Sequence, residues 1–413
     1  VAGASDFWSS SPGRQRLTDC LSAGLLSEVP VPGFHVVCIS ASKQSDRGSP
    51  VWQLCAVRDG SIPSGDGCST PIAFTLGGTQ VATRTATPDD NLDLAVLQAL
   101  LAAHLKLKGT QKEMKIFTSA GRHASSTAQV LAAHRAAFVL VEDGVWHWPP
   151  VRLGYERSLG TLGMGKQDVR LRTLALQPRV FEISNFLAEE ECVHIVQKAS
   201  PHLQKSKTFR KDKDVDKNAD DWRGSLSYFL PADQDPTLLN IDRRVQNLTR
   251  VPILNAENPQ ILRYDQHGFY HTHEDALNPR QYVGDQAVRR LTRGGTINRM
   301  LTVFMYLSNV TAGGETAFPR AGGLPWPEDS GNCEVGIKVH PVRGKVILFY
   351  NMFPDGSFDS LSAHGGCKVQ NGTKWSANFW FWNGPQFYKV GTDFEKMASD
   401  LSFDVEADHH EER

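Results

Sequence analysis

The chain has 413 residues, 40% of them hydrophobic, more than one ordinary domain needs, and two domains are expected. Its 44 Lys and Arg against 45 Asp and Glu leave a formal charge of -1, which gives no basis for nucleic-acid binding or for a generally basic membrane-facing surface. The seven cysteines (Cys20, Cys38, Cys55, Cys68, Cys192, Cys333, Cys367) form neither a dense disulfide framework nor a Cys-x-x-Cys zinc pattern. No apolar run approaches the roughly 18 residues that span a bilayer. The chain begins with Val1 and not Met, compatible with a signal peptide or anchor already removed. Three glycosylation sequons, at Asn247, Asn309 and Asn371, are compatible with a secretory route but weigh little, since one or two arise by chance in this length.

In chain order, residues 1–165 carry no nameable chemistry. Strand-like runs at Phe34–Ser40, Val51–Val57, Lys115–Thr118 and Ala136–Val141, with helices near Leu92–Leu107 and Ser126–Ala133, predict a small mixed α/β domain. It reads either as a partner, substrate or dimerisation module or as a structural appendage. Trp146-His-Trp-Pro-Pro150 reads as packing. Ser158 to Gly165 is glycine-spaced, but no Lys-Ser/Thr follows it, so it reads as a linker and not a phosphate loop. Residues 166–177 are assigned to the linker between domains.

The second domain is expected over residues 178–390, followed by an acidic tail over 391–413. It opens with a strand at Val180–Ser184 and a helix whose first turn holds Glu189, Glu190 and Glu191, complementing the helix dipole. Cys192, Ile195, Val196 and Ala199 form its apolar stripe. Residues 205–221 are crowded with mixed charge and read as a solvated loop that also has the means to touch a substrate.

The chemistry lies between Asn258 and Asn383. In an extended segment residues i and i+2 point the same way, so His273 and Asp275 reach one metal while Glu274 turns away. The third ligand must come from elsewhere, and His364 lies within Ser362-Ala-His-Gly-Gly-Cys367, where paired glycines allow close backbone approach. Two imidazoles and a carboxylate make a facial triad that suits Fe(II) and leaves positions for a chelating co-substrate and O2. Both imidazoles must be neutral to ligate, so binding should fail at acid pH. In the run from Lys374 to Asn383, period-2 reading places Lys374, Ser376 and Asn378 on one face of a strand. A lysine on an otherwise apolar wall needs a counter-charge, which a carboxylate co-substrate supplies. Each element alone is commonplace: a lone His-x-Asp is most often a surface turn, and a lone buried His a hydrogen-bonded core residue.

Arg263-Tyr264, His273-Glu-Asp275, Tyr306-Leu-Ser-Asn-Val-Thr-Ala-Gly-Gly-Glu-Thr-Ala-Phe-Pro319, Phe349-Tyr-Asn351, His364-Gly-Gly-Cys367 and Lys374-Trp375 occur in one order. This stretch resembles the prolyl 4-hydroxylase branch of the Fe(II) and 2-oxoglutarate dioxygenases, over roughly residues 178 to 385, and is most similar to its secretory-pathway and transmembrane members. The resemblance implies an α+β fold: a double-stranded β-helix, or jelly roll, with supporting helices, behind the smaller α/β domain. It implies Fe(II) on His273, Asp275 and His364, with the distal carboxylate of 2-oxoglutarate on Lys374, aided by Tyr264, Tyr306 or Thr316. Turnover would hydroxylate peptidyl proline in the manner of a procollagen-proline 4-dioxygenase, consuming O2, releasing succinate and CO2, and calling on ascorbate to rescue oxidised iron. Tyr270 and Trp380 match positions that line the peptide groove, where aromatic faces suit a proline ring. Residues 276–298 match a loop that closes over the peptide, with Gly294-Gly295 as a hinge, the alternative being a solvated insertion. The resemblance favours a disulfide between Cys333 and Cys367 and an endoplasmic-reticulum or secretory location; oligomeric state stays open. One departure is Trp382, where many members have His, which puts the usual peptide contact in doubt. The rivals are a dioxygenase of the same mechanism acting on another side chain or a small molecule, disfavoured because those families commonly use Arg in place of Lys374, and a catalytically silent peptide-binding module.

Overall fold

The computed structural model describes residues 24–42, 51–61, 72–75, 79–81, 84–86, 94–107, 114–125, 135–162, 167–209, 211–214, 218, 221–389 and 392–399. The chain forms two compact units, residues 1–151 with 354–356, and residues 152–353 with 357–413. Among the described residues no helix is long and apolar enough to cross a membrane.

The first unit is built on β1 (Phe34–Ser42), β2 (Val51–Val57), β3 (Ile72–Thr75), the hairpin β4 (Thr79–Val81) and β5 (Arg84–Ala86), helix α1 (Leu94–His104), β6 (Lys115–Thr118) and β7 (Arg135–Val141). Five strands pair antiparallel in the order β3-β2-β1-β7-β6. Alternation in β1 and β7 sends Val37, Phe138 and Leu140 to one face, where Leu97 and Leu101 of α1 and Ile116 of β6 complete a core. Trp146 and Trp148 are buried and pack edge to face on each other, with Phe34 and Phe117 against Trp146. The helix expected at Ser126–Ala133 lies outside the described residues.

In the second unit the chain runs through β8 (Glu156–Ser158), β9 (Arg170–Ala175), β10 (Val180–Ser184), α2 (Glu189–Ala199), β11 (Gln204–Lys205), β12 (Leu226–Phe229), α3 (Pro236–Thr249), β13 (Gln260–Tyr264), β14 (Tyr270–His273), α4 (Gln286–Leu291) and β15 (Arg299–Tyr306). It continues with β16 (Ala312–Gly313), β17 (Thr316–Phe318), β18 (Ile337–Val339), β19 (Val346–Tyr350), β20 (His364–Gly366), β21 (Val369–Asn371), β22 (Lys374–Trp382) and α5 (Thr392–Ser399). A nine-stranded antiparallel sheet, ordered β11-β12-β13-β22-β15-β19-β10-β9-β8, faces a four-stranded one, β14-β20-β17-β18. Phe304, Tyr306, Ile347 and Phe349 of the large sheet meet Phe318 and Val339 of the small one in a shared core, the two-sheet arrangement of a jelly roll.

Two boundaries differ from the sequence reading. The segment assigned to the linker contains β9, whose alternating Leu171, Thr173 and Ala175 are buried while Arg170 and Arg172 are exposed, so it joins the large sheet beside β10. The acidic tail begins with α5, whose Met397 is buried and whose Met397 carbonyl accepts from Gln246 Nε2. Helix α2 buries Cys192, Ile195 and Ala199 as its stripe predicts, and the Glu191 carboxylate accepts from the Ala188 N–H at its start. Residues 276–298 carry α4, and Leu277, Tyr282 and Val288 pack on Trp382.

The large sheet places the site by register. Opposed residues share a face, so Tyr264 lies beside Lys374, Leu262 beside Ser376 and Tyr306, Gln260 beside Asn378 and Phe304, and Trp380 beside Thr302 and Phe349. That face is turned to the small sheet, on which His273 opposes His364 and Gly366 opposes Thr316.

Candidate metal centre and cleft

His273 ends β14, His364 opens the neighbouring β20, and Asp275 follows two residues after the first. One donor atom from each lies within 4.8 Å of the others. Nε2 of His273 is 3.8 Å from Asp275 Oδ1, and Nε2 of His364 is 3.6 Å from Asp275 Oδ2. On the far side of each ring, Nδ1 donates to a backbone carbonyl, that of His271 at 2.8 Å and that of Ser362 at 3.0 Å. A carbonyl only accepts, so each Nδ1 carries a proton and each Nε2 turns to the carboxylate. Burial, then the neighbouring His364, pushes His273 down to about 3 and keeps it neutral. Burial opposes the charge on Asp275, but His364, His273 and Arg299 outweigh it and hold the carboxyl below its usual range.

Behind the triad a relay fixes the carboxylate. Asn351 Nδ2 donates to Thr302 Oγ1 at 3.1 Å, and Thr302 donates to Asp275 Oδ2 at 2.7 Å. Neither residue was singled out from sequence, although Asn351 closes the Phe349-Tyr-Asn351 motif and Thr302 shares a face with Tyr306. Two imidazoles and one oriented carboxylate, two of the three facing a cleft, fit a divalent transition metal with open positions.

Lys374 is 2% exposed. Its Nζ lies 5.3–5.6 Å from the ring centroids of Phe304, Tyr264 and Tyr306, and among the described residues no carboxylate comes within 4.0 Å. Burial pushes the ammonium down to about 7 against the opposing pull of Glu315. Tyr306 Oη sits 2.8 Å from Thr316 Oγ1 and 3.1 Å from the Val339 carbonyl. Thr316 opposes Gly366, two residues beyond His364, so Tyr264, Tyr306, Thr316 and Lys374 gather on the interior side of the triad. A buried, unneutralised ammonium among hydroxyls is a fitting seat for a carboxylate.

A cleft of about 1390 Å³ opens over His273 and Asp275. Tyr270 and Trp380 both line it. Tyr270 stacks on His273 with ring centroids 3.6 Å apart, and the Arg223 guanidinium lies 4.4 Å from its centroid. Trp380 is covered by Arg299, 3.7 Å from its ring, and its buried N–H makes no hydrogen bond of normal geometry, although it helps to hold Asp275 ionised. Arg299 in turn makes two hydrogen bonds to Glu257, at 2.6 and 3.0 Å. Trp382 is fully buried away from the cleft and donates its indole N–H to the same Glu257 at 2.9 Å. Its replacement of His therefore acts on the core pair Glu257–Arg299 and not on the cleft wall. The charged loop at 205–221 does reach the site: Lys207, Lys211 and Lys213 line the cleft, and Lys211 pairs with Glu274 at 2.8 Å. Cys333 and Cys367 form a disulfide.

The donor set is that of a metal-binding site in a two-sheet fold, and residues 259–382 match the model of the 2OG-Fe(II) oxygenase superfamily. The chain is 36% identical over 231 residues to "Probable prolyl 4-hydroxylase 8" of Arabidopsis thaliana, covering 54% of this chain and 75% of that one. It is 36% identical over 251 residues to "Probable prolyl 4-hydroxylase 3" of the same plant, covering 58% and 83%. The solved 2OG complex of a viral collagen prolyl hydroxylase from Paramecium Bursaria Chlorella virus-1 is 22% identical, covering 49% of this chain and 95% of that one, with a TM-score of 0.34, too low to carry an argument. On the identity and coverage of the plant relatives, this chain belongs to the prolyl 4-hydroxylase family. It is a 2-oxoglutarate-dependent dioxygenase.

Proposed function

We propose that the chain hydroxylates peptidyl proline to 4-hydroxyproline, with His273, Asp275 and His364 holding Fe(II) and Lys374 holding 2-oxoglutarate by its distal carboxylate. The observation that carries this reading is the pairing of a facial donor set with a buried ammonium that has no carboxylate of its own. Bound Fe(II), with 2-oxoglutarate and O2, supplies the oxidising power: one oxygen atom enters the substrate C–H bond while the co-substrate becomes succinate and CO2. The chain's own residues orient and exclude. The carbonyls of His271 and Ser362 set the imidazole tautomers, and the relay from Asn351 through Thr302 fixes the carboxylate. Tyr264 and Tyr306 flank the Lys374 amine and Thr316 hydrogen-bonds Tyr306, keeping bulk water from the carboxylate end. In the cleft the aromatic walls of Tyr270 and Trp380 offer flat faces to a proline ring in an extended peptide. Ascorbate is expected to sustain repeated turnover. A secretory setting agrees with the Cys333–Cys367 disulfide, since such bonds persist in oxidising compartments.

The test is a proline-peptide library incubated with Fe(II) and 2-oxoglutarate, read by mass spectrometry for gain of one oxygen and by succinate release. Iron-dependent hydroxylation at proline is expected. Succinate release with hydroxylation of no proline peptide would remove the substrate assignment and leave the dioxygenase.

A further inference from the structure

The cleft carries more positive charge than its own carboxylates neutralise, although the chain as a whole is at -1. Of its four acidic groups, Glu274 is matched by Lys211 at 2.8 Å and Glu257 by Arg299 at 2.6 Å. Asp275 belongs to the metal centre, and Asp359 is buried and accepts from the Leu361 N–H. Outside these two ion pairs the cleft is lined by Lys205 and by four further cations. Lys207 and Lys213 have no acidic partner among the described residues. Arg320 donates only to neutral oxygens, the Leu324 and Ser360 carbonyls and Ser360 Oγ, and Arg223 only to Ser225, Gln260 and the Lys207 carbonyl. Between these charges the cleft exposes aromatic surface, with Phe209 39%, Trp326 43% and Phe358 36% exposed.

Resting on the proline-hydroxylation reading, we infer that the preferred substrate is an extended peptide with acidic side chains flanking its target proline. The aromatic surface would take the proline and its apolar neighbours, while the cations recognise carboxylates. Position follows from contacts. The backbone carbonyl of Lys207 is joined to the His273 ring through Arg223 and Tyr270, by one hydrogen bond and two ring contacts, so the backbone that carries Lys207 runs within roughly four extended residues, at ~3.3 Å each, of that ring. A Glu two to four residues from the proline therefore falls beside the lysine-bearing segment of the cleft wall and clear of the metal centre. Charges on an open wall steer and select more than they anchor, and they are screened by salt.

The experiment compares three fluorescein-labelled proline peptides of equal length, with Glu, Gln or Lys two to four residues from the proline, by anisotropy on the Mn(II) and 2-oxoglutarate-loaded full chain. Tightest binding is expected for the Glu peptide, about tenfold over Lys at low salt, since exposed pairs are individually weak. The gap should close between 50 mM and 500 mM NaCl on the screening scale. In a Lys207→Glu, Lys213→Glu chain of unchanged melting temperature the order should reverse. Equal affinities for the Glu and Lys peptides, a gap indifferent to salt, or an order unchanged by the double substitution each overturns the inference. Hydroxylation of the Gln peptide by the iron-loaded chain tests the proline reading separately, so the two can fail independently.

Discussion

The proposed seat of 2-oxoglutarate on Lys374 makes its affinity a function of pH. Burial holds its ammonium near 7 in the ligand-free chain, opposed by Glu315, and only the charged form pairs with a carboxylate. The pair, once made, raises the amine's proton affinity, so above neutral pH binding must take up a proton. From the fraction protonated, affinity at pH 8.5 is about 30-fold below that at pH 6, with log Kd approaching a slope of one per pH unit. His273 lies far below this window at about 3, so its ligation does not change across it. The folding sign is the reverse. Because the folded amine has the lower proton affinity, between about pH 7 and the ordinary lysine range the unfolded chain binds the extra proton, and this group makes the ligand-free fold more stable as pH rises. Titration calorimetry of the Mn(II)-loaded chain from pH 6 to 9, in two buffers of different ionisation enthalpy, reads both affinity and proton uptake. Lys374→Met should give a flat pH profile and lose at least about 30-fold in affinity at pH 6.5, the low end for removing one member of a buried pair. A wild-type profile flat from pH 7 to 9 with no proton uptake, or unaltered affinity in Lys374→Met, would refute the reasoning.

Replacing His364 by Ala removes one of three donors; stoichiometric metal by elemental analysis and succinate release should both be lost, and their retention would sink the ligand assignment. Thr302→Val keeps the shape but breaks the hydrogen bond to Asp275 and strands the Asn351 amide, so metal affinity should fall about 10- to 100-fold with the circular dichroism spectrum unchanged. Glu257→Gln leaves Arg299 buried and uncompensated beneath Trp380, which should cost about 3 kcal/mol or more in denaturant unfolding. Removing the disulfide with Cys333→Ser and Cys367→Ser frees a 34-residue separation, and about 3 to 4 kcal/mol should be lost in the same assay.

The metal centre was legible because its signal is chemical and local. His273 and Asp275 sit two apart on extended chain, His364 is marked by its glycines, and a lysine on an apolar strand asks for an anion. The supports of those residues were not legible in the same way. Thr302 and Asn351 are ordinary strand residues until register brings β15 beside β19 and turns both toward Asp275. Trp382 gives the sharpest case. As a one-letter departure from His it reads as a changed substrate contact, yet the structure buries it and gives its N–H to Glu257, so the substitution tunes a core ion pair that itself lies under Trp380. The charged run at 205–221 reads as solvent-facing because helical and strand periods are absent from it, and only the tertiary fold shows its lysines on the cleft wall, one of them on Glu274. What the sequence conceals here is the second layer, whose residues are typed by partners remote in the chain and not by their neighbours. Specificity in this cleft depends on that layer as much as on the donors it supports, because the same fold that fixes Asp275 also decides which cations are left unmatched.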